Sequence, residues 1–187
     1  MKTLLISLLA LAIPGGLSAE EGRGFYLHLG SGLLAGFDQS SGRSPTIEIG
    51  LWKPLAAGDS HTTGIHVVHG FSEAKVRPNT LIDPGETAIL QTHLLVGHHL
   101  ERGGSWTGLL EYGISILGFD DTDTSLSLAG LGFGAGVGRK VWNDWLLTCR
   151  TRFVVVDQSY RGERIRHRQL AVLAALAFPL RWPFTDR

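Results

Sequence analysis

Six side chains in this 187-residue sequence have the types and spacing to do chemistry together: Glu48, His66, His93, Glu111, Arg150 and Arg152. Each lies in a stretch where apolar residues recur at every second position, and each occupies the alternate, polar position. Ile47, Ile49 and Leu51 oppose Glu48 and Gly50, while Leu90, Leu94 and Val96 oppose Gln91, His93 and Gly97. Trp106, Leu110, Tyr112, Ile114 and Ile116 oppose Thr107, Glu111, Gly113 and Ser115, and Arg150 and Arg152 alternate with Trp145, Leu147, Cys149, Phe153 and Val155. Acids and imidazoles on one enclosed face can ligate a metal, or they can join the guanidiniums in a hydrogen-bonded network. His66 and His93 flank one loop at similar distances, so symmetric hairpin closure sets them across from each other, with Glu48 near His66 and Glu111 near His93. The network is the favoured chemistry, because spacing alone does not create ligand geometry and enclosed charges are costly unless paired. Glu111 is expected to meet at least one of the two arginines, and neither a metal nor a cofactor is expected.

A second group, Arg164, Arg166 and Arg168, shares the parity of Leu170 and Val172 on the last apolar run. Continued alternation points these guanidiniums outward near the end of that run. An arginine at a bilayer midplane costs about 2–4 kcal/mol, but near the interface the cost falls towards zero. There the planar fork can bind phosphate oxygens in bidentate fashion, so the three arginines are candidate phosphate contacts. Asp120, Asp121 and Asp123 form an acidic loop whose default state is solvation. His98 and His99 lie near a turn and read as interfacial, whereas His61 and His69 fall on the lipid-facing parity close to strand ends.

The elements that must position these residues are strands. After the first two dozen residues the apolar period is two, in blocks separated by Gly, Asp, Asn, Ser and Pro. The blocks begin at Phe25–Gly36, Pro45–Lys53, His61–Phe71 and Thr87–Leu100, and continue with Ser105–Phe119, Ser125–Gly138, Asp144–Asp157 and Arg168–Trp182. Alternate glycines from Gly130 to Gly138 do not fit the G-x-G-x-x-G nucleotide loop. They serve better as room for long side chains from neighbouring strands, and a bulge near Ala129–Gly130 is required to turn Leu131, Phe133 and Val137 outward.

Charged side chains recurring mid-strand, opposite apolar faces, describe a barrel with a narrow wet interior and an apolar exterior, which is the inversion expected in a membrane. Along the chain, Phe37, Phe71 and Phe119 collect at one rim and Trp52, Trp106, Trp145 and Trp182 near the other, as interfacial girdles do. Met1–Lys2, the apolar run Leu4–Ile13, the break at Pro14–Gly16 and the small residues Ser18–Ala19 read as a secretory signal over residues 1–19, leaving 20–187 as a single barrel domain. Seventeen basic against seventeen acidic residues give a net charge of zero, which disfavours nucleic-acid binding. One cysteine, Cys149, excludes an intrachain disulfide.

The run Gly134–Gly138, the turn Asn143–Asp144–Trp145 and the strand that follows it resemble the glycine strand, short periplasmic turn and aromatic-led strand of the OmpA/OmpX-like superfamily of small outer-membrane β-barrels. The final run Leu170, Val172, Ala174, Leu176, Phe178, Leu180, Trp182 is similar to a barrel-assembly signal, with Thr185–Asp186–Arg187 after Phe184 in place of a terminal aromatic residue. The resemblance implies an all-β, eight-stranded antiparallel transmembrane barrel with short periplasmic turns. It also implies a Gram-negative outer membrane as location, outer-membrane lipid and lipopolysaccharide as surroundings, with Arg164, Arg166 and Arg168 as candidate lipopolysaccharide contacts, and the barrel-assembly machinery as a biogenesis partner. Some barrels of this size are lipid A deacylases with a His-x-Ser pair, followed by Asn, on a late strand. This chain carries Asp157–Gln158–Ser159–Tyr160 there, with His167 across the loop as the one imidazole available to Ser159. A structural or surface-interaction barrel with a largely plugged interior is the expected function. A lipid A-modifying enzyme and a soluble exported barrel binding a small ligand are the alternatives, and the oligomeric state is left open.

Overall fold

The computed structural model of the protein describes residues 24–38, 40–58, 60–76, 85–101, 105–120, 125–142, 145–160 and 162–180. The expected signal segment 1–19, Asp121, Asp123, the turn residues Asn143 and Asp144, and Trp182 lie outside them. Eight strands follow in order: β1 (Phe25–Asp38), β2 (Ser40–Ala57), β3 (His61–Val76), β4 (Gly85–Glu101), β5 (Trp106–Asp120), β6 (Ser125–Lys140), β7 (Leu146–Tyr160) and β8 (Glu163–Leu180). Each pairs antiparallel with the next, and β8 returns to β1, from Phe25↔Leu180 to Asp38↔His167, to close the barrel. Closure gives every strand a partner on both sides along most of its length, the condition for a sheet to cross a bilayer, and the shortest ladder is β6–β7, from Lys140↔Leu146 to Leu131↔Val155. β2 extends well beyond its apolar block Pro45–Lys53, because the backbone ladder continues past the point where the side chains stop alternating. The end at which β1 begins and β8 finishes is called here the lower end, and the opposite end the upper.

Alternation carries the apolar residues outward. Ile47 is 61 % exposed, Leu131 56 %, Ile114 54 % and Leu94 52 %, values no water-soluble barrel would tolerate around its waist. The inward parity divides by height. The upper lumen is an apolar core of Leu34, Ile89, Leu117, Phe119, Leu128 and Leu173 with their neighbours, whereas the middle holds the charged residues. The expectation of a wet interior throughout is therefore corrected: apolar side chains fill much of the upper lumen, with Ser72, Thr87 and His167 buried among them. Leu126 and Leu128 share an inward parity with Gly130–Gly138, so β6 needs no bulge to place Leu131, Phe133 and Val137 outside. Indeed β5 and β6 pair without a shift from Trp106↔Arg139 to Asp120↔Ser125.

Parity also corrects the aromatic girdles. Phe37, Phe71 and Trp106 face outward, but Phe119 is buried in the upper core and Trp52 in the lower lumen. Their heights match the rims, but a strand residue at rim height faces either way, and both share the parity of inward neighbours, Leu117 and Gly50. Glycines across the lumen make the slot for Trp52: a Cβ at Gly97 would lie 2.6 Å from its ring. The indole stacks on His99, with centroids 4.2 Å apart and planes 4° from parallel, so His99 is lumenal and not interfacial. His98 stays outside, hydrogen-bonded to Thr63 and within 3.4 Å of the Tyr112 hydroxyl. His61 is exposed, and His69 pairs with Thr92 on the outer face.

Candidate functional site

The middle of the lumen gathers residues from β1, β2, β3, β5 and β7 into one ion cluster. Arg152 donates from Nη1 to Glu48 Oε1 at 2.6 Å, and Arg150 donates from Nη1 to Glu111 Oε1 at 3.2 Å. The second nitrogens cross over, Arg150 Nη2 lying 3.6 Å from Glu48 Oε2 and Arg152 Nη2 3.5 Å from Glu111 Oε2. Two carboxylates and two guanidiniums thus balance in charge, each nearly sealed from solvent. Such balance is what makes enclosing four ions tolerable, since a single unpaired one would be strongly destabilising. Glycine on β6 makes the space: a Cβ at Gly134 would approach Glu111 Oε2 to 3.1 Å, and one at Gly136 would approach Arg150 Cβ to 2.6 Å.

Histidines extend the cluster downward. His66 Nδ1 meets Glu111 Oε1 at 2.5 Å, His28 Nδ1 meets His66 Nε2 at 3.1 Å, and Arg150 Nη2 contacts the His28 ring, including Nε2. One proton assignment satisfies this chain with both imidazoles neutral: Arg150 donates to His28 Nε2, His28 Nδ1–H donates to His66 Nε2, and His66 Nδ1–H donates to Glu111. Above the ions lies an uncharged layer, in which Gln169 donates to Gln91 Oε1 at 2.7 Å and His93 Nδ1 meets the Ser115 hydroxyl at 2.7 Å.

All six lumen residues are buried on the inward face, and five of them meet directly, but the partners differ from those that hairpin symmetry predicts. His66 pairs with Leu95 across β3 and β4, and His93 with Val68, so the two histidines are not opposite. Glu48 faces Gly70, His66 faces Trp52 and Glu111 faces Gly97. The pairing is made across the lumen and not along the wall: Glu48 reaches β7, and His66 reaches β5. His93 stands apart from the carboxylates on Ser115. His28 was missed, although its alternation with Leu27 and Leu29 beside Gly30 follows the same parity rule. Among the described residues no group of three or more His, Cys, Asp or Glu is placed to hold a metal.

Beneath the cluster a cavity of about 350 Å³ is walled by Tyr26, Trp52, His99, Leu109, Thr148 and Ala177. Its upper end is closed by His28, His66, Glu111 and Arg150, and the Glu101–Lys140 pair, 3.5 Å apart and half exposed, stands at its lower rim. On the outer wall Arg164, Arg166 and Arg168 are all exposed, as their parity predicts. Arg164 grips Asp157 with two hydrogen bonds of 2.7 Å, and Arg166 Nε lies 3.6 Å from the same carboxylate. Ser159 faces outward whereas His167 is sealed inside, edge-on to Phe119. The barrel wall separates them, so His167 is not positioned to take a proton from Ser159.

No protein-family model and no curated protein matches the sequence at a significant level. Solved structures match its fold. Neisserial surface protein A superposes with a TM-score of 0.62 at 13 % identity, over 86 % of this chain and 100 % of that one. The outer membrane protein AlkL, determined in lipid bilayers, gives 0.51 at 13 % identity over 91 % and 97 %. The outer membrane enzyme PagL gives 0.50 at 14 % identity over 82 % and 99 %. At such identities the likeness is one of architecture, and PagL shows that this architecture can carry an enzyme without making every member one. Closed eight-strand topology, an apolar waist and these neighbours together give the chain the fold of small eight-stranded outer-membrane β-barrels.

Proposed function

We propose that the protein is a structural or surface-interaction barrel of a Gram-negative outer membrane, working through its outer wall and upper rim and not through its lumen. In this reading segment 1–19 directs export, the barrel-assembly machinery inserts the chain, and the upper end faces the cell surface. The supporting observation is the filling of the lumen. An apolar core, the Gln91–Gln169 amide pair and the ion cluster together fill the upper and middle lumen, leaving the cavity towards the lower end. An eight-stranded barrel has room for side chains or for one small ligand, but not for both along its whole length. Reconstituted into planar lipid bilayers, the barrel should give no steady stepwise conductance. A stable open state in salt solution would overturn the proposal.

Lipopolysaccharide is the proposed lipid partner, through Arg164, Arg166 and Arg168. Their outward placement at the upper end supports this, as does the preference of guanidinium for phosphate. Replacing all three with glutamine should reduce lipopolysaccharide co-purification while leaving folding in neutral detergent nearly unchanged. Equal retention of lipopolysaccharide by the variant would remove this part of the reading.

A further inference from the structure

The two halves of the lower lumen are built from different side chains. On β1 to β4 the inward residues around the cavity include the rings of Tyr26, Trp52, His66 and His99, whereas β5, β7 and β8 bring the smaller Thr107, Thr148 and Ala177. The cavity of about 350 Å³ is the room that this difference leaves. That volume is at the small end of the range of about 300–1,000 Å³ that holds small molecules. The ring wall is set before any ligand arrives. Trp52 fits against Gly64 and Gly97, where a Cβ would come within 2.8 and 2.6 Å of the indole. His99 stacks on the ring, His66 meets it edge-on at 6.1 Å, and Tyr26 is its partner across the β1–β2 ladder.

Against these rings stand hydroxyls with unused capacity. Among the described residues, the side-chain hydroxyls of Tyr26, Thr62 and Thr107 line the cavity without a hydrogen-bond partner. Thr107 is itself buried, so the cavity is where its hydroxyl can be satisfied. Thr148 donates to the Ala175 carbonyl at 3.3 Å and keeps its own oxygen as an acceptor. Charge, by contrast, is spent. Glu111 and Arg150 pair at the closed end and Glu101 and Lys140 at the rim, so the lining carries no excess of either sign.

We propose that the lower cavity is a binding site for a small uncharged polyol ring, a neutral sugar of one or two pyranose units, held between the aromatic residues of β1 to β4 and the hydroxyls of Tyr26, Thr62 and Thr107. A pyranose has an apolar C–H face that suits the electron-rich face of an aromatic ring, and an edge of hydroxyls that both donate and accept. An apolar ligand would strip water from the three hydroxyls and leave them unsatisfied, which is costly. A charged ligand would find every ionic partner already taken. The filled lumen above makes this a seat and not a passage. It goes beyond the surface role proposed above, which belongs to the outer wall and upper rim, and does not depend on it.

Glucose and N-acetylglucosamine serve as neutral probes, glucuronate as a charged one and cyclohexanol as an apolar ring. Binding to the refolded full-length barrel is read by saturation-transfer NMR in an alkylamine-oxide detergent, because sugar-headed detergents would compete. At least one neutral sugar should bind saturably with a Kd of about 1 mM or tighter. Glucuronate and cyclohexanol should bind at least about fivefold more weakly. Ala177→Leu extends a side chain into the cavity and should abolish sugar binding. Tyr26→Phe with Thr107→Val removes two hydroxyls at nearly unchanged shape, and should weaken the sugar about tenfold. This pair carries the test should Ala177→Leu fail to fold. Absence of saturable binding by either neutral sugar overturns the proposal, since the cavity then holds only water. Undiminished binding by the variants overturns it as well, by placing the sugar elsewhere on the barrel, and equal binding of cyclohexanol overturns the assignment to a polyol.

Discussion

Glu111 is the residue on which most of the lumen cluster converges, touching His66 and both arginines. Glu111→Ala removes one negative charge and leaves Arg150 and Arg152 to share Glu48. Breaking a buried pair from one side typically costs about 3–5 kcal/mol, and a loss of that size is expected in denaturant unfolding of the refolded barrel. Arg150→Ala should cost a similar amount, and the double variant clearly less than the two losses added, because the second deletion removes a charge that the first left unpaired. Additive losses would show that the pair is not coupled. The types and inward parity of these residues are legible from the chain, since period-two alternation assigns a face to each. Their partners are not, because a long side chain in a narrow lumen reaches across to strands that are neither sequence neighbours nor sheet neighbours.

At the scale of the element, pairing and side chains can contradict each other, and β6 shows how. The bulge expected near Ala129–Gly130 is absent, because Leu126 and Leu128 turn inward on the same parity as the glycines and β5 pairs with β6 without a shift. What no pattern of alternation announces is that the ladder towards β7 ends at Leu131↔Val155. Gln158→Leu would strip Ala129 of its acceptor. Amide hydrogen exchange at Ala129 should then speed up by about an order of magnitude, while global stability changes by about 1 kcal/mol, the worth of one net hydrogen bond. Unchanged exchange would mean that Gln158 does not hold the Ala129 amide. On β4 the opposite demand applies. Gly97→Val puts a branched side chain where the Trp52 ring lies, and overpacking of that kind costs about 1–3 kcal/mol. A thermal scan should show the loss, together with altered tryptophan fluorescence as the indole leaves its stack on His99.

For the whole molecule, the inverted arrangement of apolar exterior and polar interior means that the solvent decides stability. Ile114 stands mid-strand on the outer wall, 54 % exposed. Ile114→Arg should destabilise the barrel in phospholipid vesicles by about 2–4 kcal/mol, measured by reversible denaturant titration. Arg168→Leu at the upper rim should change stability far less in the same assay, because interfacial height makes the guanidinium inexpensive. Equal penalties at the two positions would place the hydrocarbon boundary elsewhere on the barrel.

Alternation by itself determined that this chain forms eight strands, which residues face out, and that the exterior is apolar, because a strand's side chains have only two directions and the sequence writes them in turn. Tertiary structure alone decided the rest. Closure brought His28 of β1 to Arg150 of β7, turned Phe119 and Trp52 into the lumen at heights where sequence reads only a rim, and stacked an apolar core over an ion cluster. It also set how far each ladder runs, and so ended the β6–β7 ladder at Leu131↔Val155. Register and cross-lumen reach depend on the shared geometry of all the strands together, and no local stretch of sequence carries that information.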